Sequence, residues 1–307
     1  MTIKKVEGSF VAMITPMNSD GSIDFDGFKT LLEFQASNGS SAVLIMGSTG
    51  EVSMLTPAER TEIIERTMPM KQPGLAMWYG CTGPDTARTI EYCGTAAANG
   101  ADGAIIAAPP YISASEADIT DYFIEVADAS EIPIGIYNNP PRVSTDLTHT
   151  SILRLAEHEN IVVNKESTSR VGQIAQTAAG NPNISLMCCD SPNLGLVIPL
   201  MALGGHGTAN MSANIIPQEM AVISTPWTSW QDATACKTAW LRNLPLLHFV
   251  YSAINPVALK TLMGEVGLPA GPLRKPLTAL KGNRVAAGIE ICRQLQLDKK
   301  YGYSTSV

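Results

Sequence analysis

The chain is predicted to be an α/β protein, a (β/α)8 TIM barrel with a C-terminal helical extension. Three features lead there. Eight short apolar runs alternate with longer stretches that open on helix-start signals. The runs recur about every 25 to 35 residues, the length of one strand–helix unit. Most are apolar throughout rather than alternating, as strands are when helices cover one face and a barrel core lies against the other.

The runs are Ser9–Ile14, Ala42–Met46, Leu75–Tyr79, Gly103–Ala107, Ile132–Tyr137, Ile161–Asn164, Ile184–Cys188 and Gly207–Met211. Between them, Thr56-Pro57-Ala58-Glu59 combines an N-cap hydroxyl, a first-turn proline and an acidic residue at the positive end of a helix. Gly83-Pro84-Asp85, Ser115-Glu116, Thr148-His149-Thr150 and Ser191-Pro192 open further helices. Eight units in succession favour a closed barrel over a doubly wound sheet. The Gly-x-Gly-x-x-Gly of a dinucleotide-binding sheet does not follow Ile14. Strand signals stop near residue 225, and Trp227–Tyr251 and Pro256–Met263 read as helices, with a break at Gly267 to Pro272. Residues 1–225 are therefore expected to form the catalytic barrel, and 226–307 a helical region packed on it.

With 307 residues, 45% of them hydrophobic and 16% charged, the chain can bury a large core without disulfides or metals. Its net charge of −7 argues against nucleic acid or an anionic membrane as partner. Cys81, Cys93, Cys188, Cys189, Cys236 and Cys292 follow no zinc spacing, so free buried thiols are expected. His149, His158, His206 and His248 do not cluster with carboxylates at metal spacing, which argues against a metal-dependent aldolase. The polar start and the short apolar stretch from Phe10 to Ile14 point to a soluble, cytoplasmic protein.

Barrel chemistry sits at the C-terminal strand ends. There the sequence offers Gly47-Ser48-Thr49-Gly50-Glu51, Tyr137, Arg142, Lys165, Asp190 and the Thr208-Ala209-Asn210 strand leading to Ser212. A lysine at the end of the buried Ile161-Val162-Val163 run meets a desolvation cost that favours a neutral, nucleophilic amine. On position alone it is equally a structural lysine paired with Glu166 or another carboxylate. Strand neighbours face opposite ways, however, so Lys165 and Glu166 are not expected to enter the barrel together. Tyr137, on the adjacent strand, offers a phenol that donates and accepts protons in turn; a plain core aromatic is the alternative. Ser48 and Thr49 lie in a Gly-flanked turn suited to a carboxylate, or only to capping backbone. Arg142 offers a bidentate clamp for a second carboxylate.

Taken in order, Gly47-Ser48-Thr49-Gly50-Glu51, Tyr137-Asn138-x-Pro140-x-Arg142 and Lys165-Glu166-Ser167 resemble the signatures of the dihydrodipicolinate synthase / N-acetylneuraminate lyase family. The resemblance continues through Gly204-Gly205-His206-Gly207, Ser212-Ala213-Asn214 and Arg274-Lys275-Pro276-Leu277, so it spans nearly the whole chain. It implies a lyase or aldolase that forms a Schiff base between Lys165 and pyruvate or another 2-oxo acid. Tyr137 would carry the proton, and Ser48 and Thr49 would hold the pyruvyl carboxylate and link to Tyr137. It also implies a homotetramer, a dimer of dimers, with no metal or organic cofactor.

The departures fall on the second substrate, an aldehyde or sugar acid. Synthases of this family place Pro-Tyr-Tyr after strand 4, the second tyrosine reaching into the neighbouring subunit; Pro110-Tyr111-Ile112 reads as lacking that hydroxyl. Ser48 stands where synthases carry threonine, whereas Arg142 is synthase-like. Cys189-Asp190-Ser191 has one carboxylate fewer than the family pattern, and Thr208-Ala209-Asn210 is more polar. Arg142, Asp190 and Asn210, with Ser48 and Thr49, are the expected substrate-binding residues. The expected activity is most like a 4-hydroxy-tetrahydrodipicolinate synthase. The alternatives are a sugar-acid or aromatic hydratase-aldolase, an imine-forming deaminase or dehydratase, and, in another class, a catalytically silent binding or regulatory protein.

Overall fold

Each of the eight apolar runs becomes a strand, and the strands pair edge to edge, all parallel, until the last returns to the first. The structure, a computed structural model, describes residues 5–305. The barrel runs in chain order through β1 (Gly8–Ala12), β2 (Ala42–Ile45), β3 (Ala76–Gly80), β4 (Gly103–Ala107), β5 (Ile134–Asn138), β6 (Ile161–Glu166), β7 (Ser185–Cys188) and β8 (Gly207–Asn210). It closes where Gly8 pairs with Gly207 and Phe10 with Ala209. β5 starts two residues later than expected because Pro133 has no N–H for the ladder; only its carbonyl engages, accepting from Ala104 N at 2.9 Å. β6 runs on past Asn164, so Lys165 lies within a strand rather than after it.

Helices α1 (Phe25–Ser37), α2 (Pro57–Thr67), α3 (Thr86–Ala98), α4 (Glu116–Ala129), α5 (Pro140–Val143), α6 (His149–Leu155), α7 (Val171–Ala179), α8 (Val197–Ala202) and α9 (Pro217–Ile223) connect or follow the strands. Their starts follow the capping chemistry of the sequence. Thr56 and Glu59 close a capping box on α2, Asp85 caps α3, and Ser115 and Asp118 close a second box on α4. Two starts depart from this pattern. Thr148 precedes α6 without capping it, its hydroxyl donating to Glu116 at 2.7 Å. Ser191-Pro192 opens only a turn, and α8 begins at Val197, beyond Gly195 with its φ of +65°. Beyond the barrel come α10 (Trp230–Val250), α11 (Val257–Glu265), α12 (Asn283–Gln294) and α13 (Leu297–Tyr301). No helix among the described residues is long and apolar enough to cross a membrane.

The barrel interior is a small cluster of its own, with Phe10, Leu44, Trp78, Ile105, Val163 and Met187 filling it. Trp78 sets the tightest constraint there. Its ring meets Phe10 edge-on at 5.7 Å and lies over Gly103, where a Cβ would come within 2.5 Å of the indole. At the barrel's closure Gly207 holds a φ of +143°, and a Cβ there would come within 2.1 Å of the Gly8 carbonyl oxygen. The residues two positions on from Phe10, Trp78 and Ile105 are Ala12, Gly80 and Ala107, so alternation places small residues on the inward face at the C-terminal mouth. All six cysteines are buried and free.

Arg274, in the segment after α11, reaches back to α2. It donates through both terminal nitrogens to Glu59, through Nη1 at 2.8 Å, and through Nη1 to the Met54 carbonyl at 3.0 Å. The guanidinium holds the Glu59 carboxyl down at about 2, aided by Thr56 and opposed by burial. The folded value lies below the ordinary 4.5, so the stabilisation is complete above that pH and fades as pH falls toward 2. Replacing Arg274 by Met is expected to lower the melting temperature near neutral pH and to shrink the stability lost across that acid window. Thermal melts of both proteins from neutral pH down through the window check this.

Candidate active site

Lys165 and Tyr137 are brought together by strand register. Tyr137 on β5 pairs with Lys165 on β6, and both face into the barrel mouth. Lys165 is 5% exposed, and its Nζ lies 4.4 Å from the centroid of the Tyr137 ring. None of the ion pairs among the described residues includes Lys165. Glu166 turns the other way, as alternation requires. It accepts from Ser167 N at 3.0 Å, Thr168 N at 3.1 Å and Gln173 Nε2 at 3.3 Å, and from Asn138 Nδ2. Burial raises the Glu166 carboxyl above its ordinary value, while these donors oppose the rise. The structural alternative for Lys165, pairing with its neighbour, is therefore not realised.

The Tyr137 hydroxyl has one hydrogen-bond partner among the described residues, Asn139, whose Nδ2 donates to it at 2.5 Å. Thr49 does not bond to it. The Ser48–Gly50 turn is a short 3-10 segment in which Thr49 is buried and Ser48 half-buried. Thr49 Oγ1 accepts from Asn255 Nδ2 at 3.0 Å, and Thr15 Oγ1 donates to the Gly50 carbonyl at 2.7 Å. Arg142, carried on α5, is exposed, and its Nη2 donates to the Asn255 backbone oxygen at 3.4 Å. Asn255 thus ties the turn after β2 to the arginine after β5.

Two expected substrate-binding residues are spent elsewhere. Asp190 is fully buried: its Oδ1 accepts from Met211 N at 3.1 Å and Tyr251 Oη at 2.5 Å, and its Oδ2 from Ser212 N at 3.0 Å. Burial, reinforced by the Asp190 charge, holds the Tyr251 phenol protonated well above its ordinary range. Asn210 faces the helices: its Nδ2 donates to Ser9 Oγ at 2.9 Å and Thr208 Oγ1 at 3.1 Å, and its Oδ1 accepts from Ala213 N. Both are fixtures of the frame, because neither has an open group to offer a ligand. Ser167, next on the Lys165 face, is buried with an unpartnered Oγ. Cys189, at the end of β7, is kept protonated by burial. After β4, Tyr111 carries a φ of +79° and stands 98% exposed, with Ile112 also exposed beside it.

The turn after β2 is anchored from below. Glu51, at a left-handed φ of +57°, makes a fully buried ion pair with Lys260 of α11 at 2.6 Å and accepts from Arg274 N at 2.8 Å. Burial pushes the Lys260 ammonium below its ordinary value, and the Glu51 charge counteracts it. Sequence reasoning missed Asn139, Asn255, Tyr251 and this pair. The third residue of Tyr137-Asn138-Asn139-Pro140 stands only as a spacer in the motif, and Asn255 and Lys260 lie outside any strand end. Clefts also open at the N-terminal barrel mouth near Trp78 and Asp102 and between α9, α10 and α13, but neither contains Lys165. No cluster of three or more metal-ligating side chains occurs among the described residues.

The sequence matches the Dihydrodipicolinate synthetase family over residues 5–290. The chain belongs to that family of lyases. It is 32% identical over 276 residues to the 4-hydroxy-tetrahydrodipicolinate synthase of Thermoanaerobacter sp. (strain X514), covering 89% of this chain and 91% of that one. The synthase of Methanococcus maripaludis (strain C5 / ATCC BAA-1333) is 29% identical over 282 residues, 91% of this chain and 96% of its own. Among solved structures, the chloride-inhibited dihydrodipicolinate synthase from Acinetobacter baumannii, complexed with pyruvate, superposes with a TM-score of 0.89 at 28% identity, covering 95% of this chain and 100% of that one.

The Glu51–Lys260 pair has a consequence for stability. Replacing Lys260 by Met leaves a carboxylate buried without its cation, and is expected to cost about 3–5 kcal/mol. Replacing both, Lys260→Met with Glu51→Leu, is expected to recover most of that loss. Urea denaturation of the single and double variants measures the difference.

Proposed function

We propose that this lyase forms a Schiff base between Lys165 Nζ and the 2-oxo carbon of pyruvate or a related 2-oxo acid, and then makes or breaks a carbon–carbon bond. The observation that carries this is the buried Lys165, free of any carboxylate and set against the Tyr137 ring at 4.4 Å. The Lys165 nitrogen attacks the ketone through its lone pair, and Tyr137 passes the proton that lets the carbinolamine lose water. The resulting iminium draws electrons and acidifies the adjacent methyl, so an enamine forms and adds to an aldehyde; cleavage runs the same steps backwards. Ser48 and Thr49 hold the carboxylate of the 2-oxo acid. Support for the 2-oxo acid also comes from the related structure that was solved with pyruvate.

Exposed Arg142 receives the carboxylate of the second substrate, which favours an activity like 4-hydroxy-tetrahydrodipicolinate synthase. Asp190 no longer belongs in that role, given its three hydrogen bonds within the fold. The unpartnered Ser167 hydroxyl, on the Lys165 face, favours as a second reading a hydroxylated sugar-acid electrophile. The homotetramer remains part of the proposal, and the exposed Tyr111 and Ile112 support a subunit contact beside the mouth. Tyr111, held at a left-handed φ and the more exposed of the two, offers a phenol hydroxyl to a neighbouring subunit in the place where Ile112 has none.

Borohydride reduction in the presence of pyruvate is expected to leave a pyruvyl adduct on the wild-type chain and none on Lys165→Ala, read by intact mass. An adduct that survives Lys165→Ala sinks the imine reading. With Arg142→Ala the pyruvate adduct is expected to form normally, while turnover with carboxylate-bearing aldehydes falls by about 10- to 100-fold, the loss of a charge-assisted hydrogen-bonded pair. A panel of aldehydes scored by pyruvate consumption, run beside sugar acids scored by pyruvate release, separates the two readings.

A further inference from the structure

Asn139 sits where its side chain would ordinarily cap a helix, yet it does not. It precedes α5, whose first two residues are Pro140 and Pro141 and therefore have no N–H to receive a cap. The next N–H, that of Arg142, is bonded to the Asn139 backbone carbonyl at 2.9 Å. The side chain is thus released from local duty. Strand alternation carried past the end of β5 puts Asn139 on the face of Tyr137, two residues earlier, and there its Nδ2 donates to the phenol oxygen at 2.5 Å. Asn138 faces the other way and is occupied by Leu147, Asp146 and Glu166, so it cannot substitute.

We propose that Asn139 is a positioning residue for proton transfer by Tyr137, an inference that rests on the proton-carrier reading of Tyr137. When the carbinolamine collapses, the nitrogen lone pair of Lys165 forms the C=N bond and the C–O bond breaks. The Tyr137 proton passes to the departing oxygen, which leaves as water. The O–H electron pair stays on Tyr137 as phenolate, and the same oxygen later takes a proton back. An amide N–H fixed on that oxygen stabilises the phenolate more than the phenol. It also fills one lone pair, which turns the hydroxyl hydrogen away from Asn139. The amide N–H cannot itself take the proton, so the phenol remains the group that exchanges it with substrate.

The test is the rate of imine formation in the full-length protein with pyruvate, followed by borohydride quench and intact mass. Asn139→Ala removes the donor and is expected to slow adduct formation about tenfold, the loss of one hydrogen bond to a transiently charged oxygen. Asn139→Asp keeps the shape but presents a carboxylate that accepts a hydrogen bond from the phenol O–H and opposes the phenolate, and is expected to be slower still. In both, the pyruvate concentration giving half the maximal rate stays at the wild-type value. In a Tyr137→Phe background neither substitution slows the reaction further, because the oxygen they act through is gone. Wild-type rates in both Asn139 variants, with Tyr137→Phe slow, would falsify the role of Asn139 alone. Losses that add in full to that of Tyr137→Phe also overturn it, since they would mean a purely structural contribution. A Tyr137→Phe variant with wild-type rate overturns the proton-carrier reading and this inference together.

Discussion

Closing eight parallel strands into a barrel sends alternate residues inward, and the register between β5 and β6 then decides which of them meet. That register places Tyr137 beside Lys165. Everything chemical in the proposed mechanism depends on this neighbour relation. Were β6 to slip by one residue, Glu166 would enter the mouth and Lys165 would face the helices. The register is held from outside as well as inside. Glu166 is fastened by Ser167, Thr168, Gln173 and Asn138, so the face opposite the lysine has its own reason not to slip. Inside, Trp78 over Gly103 fills the barrel beneath the mouth, while Ala12, Gly80 and Ala107 leave room above it.

The segment beyond the barrel does more than cover it. Four of its side chains reach back to the barrel units: Tyr251 holds Asp190, Asn255 holds Thr49, Lys260 neutralises Glu51, and Arg274 grips Glu59 at the start of α2. The Ser48–Gly50 turn is consequently set by residues about two hundred positions away. A buried ion pair such as Glu51–Lys260 is weak evidence of net stabilisation, because the desolvation of both groups offsets most of the attraction. Its value here is geometric: it fixes the turn that follows β2 at a left-handed φ and leaves the Thr49 hydroxyl at a defined place.

The second-substrate side is where structure most revised expectation. Asp190 was expected to orient a ligand because it follows β7, and strand ends are where ligands bind. Position along the chain does not reveal that both its oxygens are taken by the turn after β8 and by Tyr251. Asn210 went the same way, turned outward toward Ser9 and Thr208. What remains at the mouth is the exposed Arg142, the half-buried Ser48 and the buried Ser167 with its unpartnered hydroxyl, and no free carboxylate from β7.

The sequence by itself determined the barrel, since period, capping residues and apolar runs are local and each acts within one strand–helix unit. It also located Lys165 and Tyr137, because alternation and strand position are countable along the chain, and the motif order brought the family into view. Tertiary structure alone decided which polar groups remain free. A hydrogen bond consumes a donor or acceptor only when a distant residue arrives, and Asn255, Tyr251 and Lys260 arrive from the far end of the chain. Asn139 stands between the two cases. Pro140 and Pro141 announce in the sequence that its side chain has no helix to cap, but only the folded strand end shows that the phenol of Tyr137 receives it.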